Sequence, residues 1–296
     1  MSRFLDRPAA TMITVAPTGA EHRKSDVPQL PTTPEQVAVE ARACQDAGAS
    51  MIHIHVRDAE HAPTLDLPRV REVVAAVRES SDLVVQLSTG GSVHDPMPDR
   101  LRVLEAEPDS CSLTLGTVNF GDDVFKNPWG FVVELFRDSR DRGIVPEFEV
   151  FDLGQLTTLR RLLDREGLPA GEQVHVDLVM GVPGGMPGTA DALVACVAAM
   201  PEQVTSWSAT GIGRTHLPVM AAALAAGGHL RVGMEDTVVW GRGADGPVMV
   251  ATNADLVARA ARVATELQRP PLSVQGAREL LGLDAARAAE ALRSQA

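Results

Sequence analysis

The stretch TPEQVAVEARACQDAGASMIHIHVRD, residues 33–58, joins a helix pattern to a strand pattern within one short segment. Thr33 and Pro34 are typical of a helix N-cap and a first-turn proline, and Gly48 marks the end of the helix, which predicts a helix over 33–47. The apolar, β-branched run from Met51 predicts a strand over 51–56. A helix followed at once by a strand is the repeating unit of a parallel α/β sheet.

The same alternation continues along the whole chain. Eight strands are predicted, at residues 12–16, 51–56, 83–87, 112–115, 144–150, 173–180, 205–208 and 229–233, with helical segments such as 33–47 and 189–199 between them. Eight such units in about 230 residues match the number and size of a closed (β/α)8 TIM barrel. An open doubly wound sheet more often has a glycine-rich dinucleotide turn after its first strand, where this chain has PTGAE (17–21).

The segment after the eighth strand has helical periodicity at residues 252–268 and 274–295. We expect it to complete and cap the barrel as a C-terminal helical extension. Because no linker or low-complexity tract interrupts the chain, residues 1–296 are predicted to form one catalytic domain.

The charge balance restricts the possible partners. The chain has 27 Lys and Arg against 39 Asp and Glu, a net charge of −12. Such a surface repels phosphate backbones and anionic lipids, so neither nucleic acid nor a membrane surface is an expected partner. The longest apolar run, 217–226, contains Pro218 and is about half of the ~20 residues that a spanning helix needs.

Cysteine spacing and the first residues favour a cytoplasmic protein. Cys44, Cys111 and Cys196 lie far apart, without the paired spacing of a disulfide framework or a cysteine-based zinc site. The opening residues, MSRFLDRPAA, contain Asp6, Arg7 and Pro8 before any apolar run develops, unlike a secretory signal. The lysines are Lys24 and Lys126, so no predicted strand carries a Schiff-base lysine.

The strongest local motif is the His-x-His pair in MIHIHVRD, residues 51–58. Because side chains alternate along a strand, His53 and His55 leave the same face and can bind one cation. The pair ends the second predicted strand, at the rim where barrel enzymes place their catalytic groups. A pair of buried core histidines without a metal is the alternative.

A third ligand is predicted at the end of the eighth strand, in RVGMED (231–236). Strand one separates strands eight and two in a closed barrel, so Glu235 is close enough to complete a His2Glu site. Such a site with an open position is typical of catalytic zinc. Alternatively, Glu235 and Asp236 form salt bridges with Arg231 or Arg242.

Other strand ends are also polar. They carry Glu21, Ser88, Thr89, Gly90, Gly91, Ser112, Thr114, Glu147 and Glu149, which we expect at the same rim. His175, inside the sixth strand, is expected in the core or behind the site. Most of the remaining loop histidines are expected to face solvent, namely His22, His61, His94 and His216.

Taken together, these segments resemble the beta-keto acid cleavage enzymes. The matching stretches are TVAPTGAE (14–21), MIHIHVRD (51–58), QLSTGG (86–91), GTVNFGDD (116–123), VPEFEVFD (145–152), MGVPGGM (180–186), GIGR (211–214), GGHLRVGMED (227–236) and the region of Asn253. They occur in the family's order and spacing over nearly the whole chain. The resemblance implies a homotetrameric, zinc-dependent TIM barrel that exchanges an acyl group between a beta-keto acid and acetyl-CoA, releasing acetoacetate and a new acyl-CoA.

The resemblance also implies roles for individual residues. By this resemblance, zinc is expected on His53, His55 and Glu235, and Asp236, held by Arg231, is expected to act as the base. The hydroxyls of Ser88 and Ser112 lie close to the substrate. The substrate-binding residues are Glu21, Glu149, Thr114, Thr89, Gly90 and Gly91. Family members often have Thr in place of Ser112 and Asn in place of Thr114 and Thr237, which leaves the preferred keto acid open.

Two other functions remain open from the sequence. A metal-dependent hydrolase of the amidohydrolase type also has His-x-His in a barrel and a carboxylate on strand eight. That family, however, places the pair on the first strand and has further histidines on strands five and six. A metal-binding barrel without catalysis needs the same ligands and no base.

Overall fold

The computed structural model describes residues 8–293. Its strands are β1 (Ile13–Val15), β2 (Met51–Ile54), β3 (Val84–Leu87), β4 (Ser110–Thr114), β5 (Val118–Phe120), β6 (Asp123–Phe125), β7 (Val145–Val150), β8 (His175–Met180), β9 (Ser206–Gly211), β10 (His229–Val232), β11 (Val239–Gly243) and β12 (Gly246–Met249). Eight of them pair in parallel and close into a barrel, in the order β1-β10-β9-β8-β7-β4-β3-β2. The prediction of a TIM barrel is confirmed.

Helices lie between the barrel strands and follow the last of them. They are α1 (Pro34–Ala47), α2 (Leu67–Ser80), α3 (Met97–Arg102), α4 (Trp129–Asp141), α5 (Leu153–Glu166), α6 (Ala190–Ala199), α7 (His216–Ala226), α8 (Asn253–Glu266), α9 (Val274–Leu281) and α10 (Leu283–Arg293). The apolar faces of α1 to α8 pack on the outer side chains of the strands in one large buried cluster, and α9 and α10 pack in a second cluster with residues of the barrel strands. The hydrophobic effect of this burial holds the strand ends at fixed positions around the rim.

The helix predicted from residues 33–47 has the expected ends. The Thr33 side chain accepts a hydrogen bond from the backbone N–H of Gln36, and the Gln36 side chain bonds back to the cap, forming a capping box. Gly48 ends the helix at φ 113°, a conformation that favours glycine. The capping residues therefore set both ends of α1 locally.

The observed bounds differ from the predicted ones at several elements. β2 ends at Ile54, so His55 lies just past the strand, while β9 continues to Gly211. The C-terminal helical extension is confirmed, but Gly282 at φ 69° separates α9 from α10. The predicted helix end at residues 294 and 295 lies outside the described residues.

Two antiparallel hairpins were not predicted. β5 pairs with β6, and β11 pairs with β12. Both lie in loops that follow the C-terminal ends of barrel strands, β4 and β10, and both supply residues to the cavity at that rim. Their strands have only three to five residues, too few for a period-two pattern to stand out.

The thiols agree with the prediction made from their spacing. Cys44, Cys111 and Cys196 are free and buried. Burial raises the pKa of Cys196 to about 11, which keeps that thiol protonated at neutral pH. Within residues 8–293, no helix is both long enough and apolar enough to cross a bilayer.

Candidate metal centre and active site

The ends of β2 and β10 meet across β1. Thr14 of β1 lies in register with Met51 on one side and with Arg231 on the other. His53 lies within β2, and Glu235 follows β10 by three residues. This juxtaposition is the one predicted from the closed strand order.

Three side chains form the candidate metal site. The Nε2 atoms of His53 and His55 lie 3.8 Å and 3.5 Å from Oε1 of Glu235. Possible ligand atoms of all three residues lie within 4.8 Å of one another. The second carboxylate oxygen of Glu235 is buried and has no hydrogen-bond partner among the described residues.

These residues fit a divalent cation. Bonds of 2.0–2.2 Å in tetrahedral geometry place two donor atoms about 3.4 Å apart, close to the two separations involving Glu235. Imidazole nitrogens and a carboxylate oxygen are donors that zinc accepts, and His2Glu leaves a coordination position open. The structure therefore brings together the three predicted ligands.

Gln86 fixes the orientation of His53. Its Oε1 lies 2.5 Å from Nδ1 of His53, while its Nε2 donates to Oγ of Ser110 at 3.2 Å. With Nδ1 bonded to an amide oxygen, Nε2 is free to face the cation. Burial, helped by the nearby Arg231 guanidinium, lowers the pKa of His53 to about 4, so the imidazole is neutral at pH 7.

Arg231 is the centre of a buried charge network. Its Nη1 donates to Glu149 at 3.3 Å, and its Nε and Nη2 donate to the two oxygens of Asp236 at 3.3 Å and 3.0 Å. Nη2 also contacts Glu235. The salt-bridge interpretation of Glu235 and Asp236 is thus correct for Arg231, while no ion pair to Arg242 is found among the described residues.

Carboxyl groups around this guanidinium differ in their pKa. Burial raises the pKa of Asp236 to about 7, against the opposing effect of Arg231, and the charge of Glu235 adds to the increase. Burial likewise raises the pKa of Glu149 to about 7. At Glu235, burial is outweighed by Arg231 and the two imidazoles, which hold the pKa well below its usual value.

A cavity of about 820 Å³ opens above these residues. The predicted site residues that line it are Glu21, His55, Ser88, Gly90, Gly91, Glu149, Arg231, Glu235 and Asp236. Part of its wall is apolar and is formed by Phe120, Phe125, Phe151, Val179 and Val182. The polar end at the candidate metal site thus faces a cavity that has room for a small organic substrate.

Four predicted residues lie behind this lining. His53 is covered by its neighbours, and Thr114 donates to Oε2 of Glu149 at 2.8 Å. The Thr89 hydroxyl donates to the Ser112 carbonyl at 2.7 Å, and Oγ of Ser112 accepts from the Thr89 N–H at 3.2 Å. Ser112 and Thr89 therefore bind each other and hold the loop that carries Ser88.

Gly19 allows the loop after β1 to pack against Glu235. At φ 64° it adopts a left-handed conformation, and a Cβ atom there would lie 2.6 Å from Cγ of Glu235. Arg57 holds the same loop, because its Nε donates to the Gly19 carbonyl at 3.1 Å. Neither contact was predicted, since both depend on the closed barrel.

A second polar layer lies deeper in the barrel. His175 bonds to Ser206 at 2.7 Å and lies 3.4 Å from Glu147, in agreement with its predicted place behind the site. Asp177, which the sequence did not single out, accepts hydrogen bonds from Ser208 and Thr210 at 2.7 Å. Alternation along β7 and β8 places these groups on the inner face of the barrel.

Of the four loop histidines expected to be mostly solvent-facing, only His94 is well exposed. His94 is 74% exposed, and His22 and His61 are half-buried. His216, however, is buried and lines the cavity. His216 is the first residue of α7 and is covered by residues from distant parts of the chain. A local sequence pattern does not reveal such burial.

Comparison with known proteins identifies the family of this chain. A sequence model of the family described as beta-keto acid cleavage enzyme matches residues 10–283. The 3-keto-5-aminohexanoate cleavage enzyme of Acetoanaerobium sticklandii is 36% identical over 92% of this chain and 98% of its own length. The 3-dehydrocarnitine:acetyl-CoA trimethylamine transferase of Rhizobium meliloti is 37% identical over 85% of this chain and 89% of its own.

A solved structure supports the fold. The ternary complex of ObcA with a C4-CoA adduct and oxalate matches with a TM-score of 0.75 at 21% identity, over 86% of this chain and 68% of ObcA. Relatives named as acetyl-CoA transferases confirm the prediction that this chain is an acyltransferase. With a family match over most of its length, the chain belongs to the beta-keto acid cleavage enzymes.

Proposed function

We propose that this protein is a zinc-dependent acyltransferase that converts a beta-keto acid and acetyl-CoA into acetoacetate and a new acyl-CoA. The observation that carries the proposal is the His53, His55 and Glu235 triangle, which adjoins the cavity beside an Asp236 carboxylate held by Arg231. Membership of the beta-keto acid cleavage enzymes supports the reaction class.

His53, His55 and Glu235 would hold the cation. When bound, a divalent cation stabilises the negative charge that develops on the ketone oxygen of the substrate during C–C bond cleavage. Zinc is the proposed metal because two imidazoles and one carboxylate with an open position are typical of catalytic zinc. The implied homotetramer stays a prediction, which light scattering of the metal-loaded protein tests.

Asp236 would be the base. It takes a proton from the carbon between the ketone and the carboxylate of the keto acid. Its pKa, which burial raises to about 7, suits proton transfer near neutral pH. The two hydrogen bonds from Arg231 hold this carboxylate in place beside Glu235.

The acyl exchange forms one C–C bond, transfers the CoA sulfur and breaks one C–C bond. The deprotonated carbon bonds to the acetyl carbonyl carbon of acetyl-CoA, and the CoA sulfur moves to the keto carbonyl of the original acid. The bond between this keto carbonyl carbon and the carbon that Asp236 deprotonated then breaks. The products are acetoacetate and the new acyl-CoA. Asp236 returns its proton to the acetoacetate carbon.

The remaining proposed roles differ in their structural support. Ser88, Glu21 and the backbone of Gly90 and Gly91 line the cavity and can contact substrate directly. Glu149 also lines it and is oriented by Thr114. For Ser112 and Thr89 the mutual hydrogen bonds support a positioning role, while direct contact with substrate stays a prediction.

The test is incubation of zinc-loaded protein with acetyl-CoA and a panel of beta-keto acids that includes 3-keto-5-aminohexanoate and 3-dehydrocarnitine. We expect acetoacetate with at least one acid, and a loss of at least about 10²-fold in Asp236→Asn with its zinc retained. Ester, amide or lactone hydrolysis without CoA would instead favour the amidohydrolase type. Metal binding with no turnover of any panel member would favour a non-catalytic barrel.

A further inference from the structure

Arg259 is a buried cation without an acidic partner. It lies on α8, is 7% exposed, and lines the cavity. Nη1 donates to the Trp240 carbonyl at 2.8 Å, and the guanidinium carbon lies 3.8 Å from the centre of the Trp240 ring. Among residues 8–293 its Nε and Nη2 have no hydrogen-bond partner, and no carboxylate pairs with it.

His216 adds a second unsatisfied group to the same wall. Its side chain is 4% exposed, and neither ring nitrogen has a hydrogen-bond partner in the described part of the chain. Burial lowers the pKa of this imidazole, and the positive charge of Arg259 acts in the same direction, so the two side chains are electrostatic neighbours. Buried polar groups of this kind destabilise the fold unless a ligand or water satisfies them.

Two exposed arginines complete this region. Arg214 follows β9, and Arg242 is on β11; both line the cavity, and neither has an ion pair within residues 8–293. We call Arg214, His216, Trp240, Arg242 and Arg259 the basic wall. Exposed acidic lining residues belong to other segments, the loop after β1 and the β5–β6 hairpin, with Glu21, Asp122 and Asp123.

The basic wall is unusual for this protein. In a chain with a net charge of −12, three arginines without ion-pair partners in residues 8–293 line a single cavity. The planar guanidinium matches phosphate oxygens with paired hydrogen bonds. Of the two proposed substrates, the thioester carries several phosphate charges, whereas the keto acid carries a single carboxylate and reacts next to the candidate metal site.

We propose that the basic wall is the subsite that binds the phosphate groups of the acyl-CoA while its thioester reaches His55 and Glu235 in the same cavity. This inference rests on the proposed function for the identity of the ligand. It assigns the phosphates to the segments after β9 and β10, with the buried positive charge of Arg259 behind them.

The test compares CoA with pantetheine, which has the same thiol arm and no phosphate. Calorimetric titration of the zinc-loaded wild type should give a much lower Kd for CoA. In the double variant Arg214→Ala and Arg242→Ala, and separately in Arg259→Met, we expect the Kd for CoA to rise at least about 10-fold while that for pantetheine changes less than about 3-fold. Arg160→Ala, an exposed arginine on α5, is the matched control and should behave as the wild type.

Each result decides the inference. If the double variant binds CoA as tightly as the wild type, or if both ligands weaken in parallel, the basic wall does not bind phosphate. If the wild type itself does not prefer CoA to pantetheine, the inference also fails. Because Arg214 and Arg242 are exposed, their variant tests the wall even if Arg259→Met does not fold.

Turnover separates this inference from the proposed function. The same proteins are assayed for acetoacetate formation with acetyl-CoA and with S-acetylpantetheine. Acetoacetate formation with an unchanged preference for acetyl-CoA in the variants overturns the phosphate subsite alone. Selective loss of CoA binding without acetoacetate from any keto acid supports the subsite and overturns the proposed reaction.

Discussion

Arg231 holds Asp236 with two hydrogen bonds, from Nη2 to Oδ1 at 3.0 Å and from Nε to Oδ2 at 3.3 Å, and both side chains are buried. The same guanidinium contacts Glu235 and Glu149. The Arg231 guanidinium therefore connects the proposed base Asp236, the candidate metal ligand Glu235 and the cavity residue Glu149. The network places three carboxylates around one arginine, an excess of negative charge that favours a bound divalent cation.

Replacing Arg231 should destabilise the metal-free protein strongly. Arg231→Met leaves the carboxylates of Glu149, Glu235 and Asp236 buried without their counter-charge, and we expect a loss of about 3–5 kcal/mol in the free energy of unfolding. Urea denaturation followed by circular dichroism measures it. An unchanged midpoint and slope would show that Arg231 does not balance these carboxylates.

Removing one imidazole should remove the metal. His53→Ala leaves two of three protein ligands, so we expect zinc content after dialysis to fall from about one ion per chain to near zero. Elemental analysis gives the stoichiometry. His94→Ala changes an exposed histidine that lies outside the triangle and should keep its zinc. Equal zinc content in both variants would rule out the proposed ligand set.

Gln86 should tune the affinity for metal without binding it. Gln86→Leu removes the acceptor that orients Nδ1 of His53, and we expect the zinc Kd to rise about 10–100-fold. Competition with a chelating dye measures the Kd directly. Gln86→Glu keeps an oxygen acceptor at that position and should retain most of the affinity. If leucine binds zinc as tightly as glutamine, the hydrogen bond does not position His53.

His216 should make the protein sensitive to mild acid. Burial lowers its pKa from 6.5 to about 4. Between these values the unfolded chain takes up a proton at this imidazole and the folded chain does not, so stability falls as the pH decreases through this window. One such group contributes up to about 1.4 kcal/mol per pH unit.

His216→Leu removes this contribution. The free energy of unfolding of the variant should therefore decrease less than that of the wild type between pH 6.5 and pH 4.5. Urea titrations at several pH values give both slopes, and His94→Leu, at an exposed position, should follow the wild type. Parallel curves for His216→Leu and the wild type would contradict the burial of a neutral imidazole.

Local patterns were enough to predict the barrel and the three side chains of the candidate metal site. Alternating helix and strand signals specify βα units, and closure of eight strands makes β10 and β2 neighbours of β1. Strand parity places His53 and His55 on one face, and the strand order brings Glu235 to them. The capping residues Thr33 and Gly48 similarly set their helix locally.

Other parts of the site depend on residues far apart in the chain. The β5–β6 and β11–β12 hairpins are too short for a clear periodicity, yet they form part of the cavity wall. His216 belongs to a set of histidines expected to be mostly exposed, yet it is buried, because packing in the folded chain covers the start of α7. Gln86 belongs to no recognisable sequence motif. It orients His53 because β3 pairs with β2 in the register that places Gln86 beside that histidine.

The sequence by itself determined the barrel, the order of its strands and the three candidate ligands, because hydrophobic periodicity and strand parity act over a few neighbouring residues. Only the tertiary structure decided that Arg231 joins Asp236, Glu235 and Glu149, and that Arg214, Arg242 and Arg259 line one cavity. The physical reason is that side-chain distances, burial and the resulting charge interactions are set by chain closure, which brings residues from distant segments within hydrogen-bonding range.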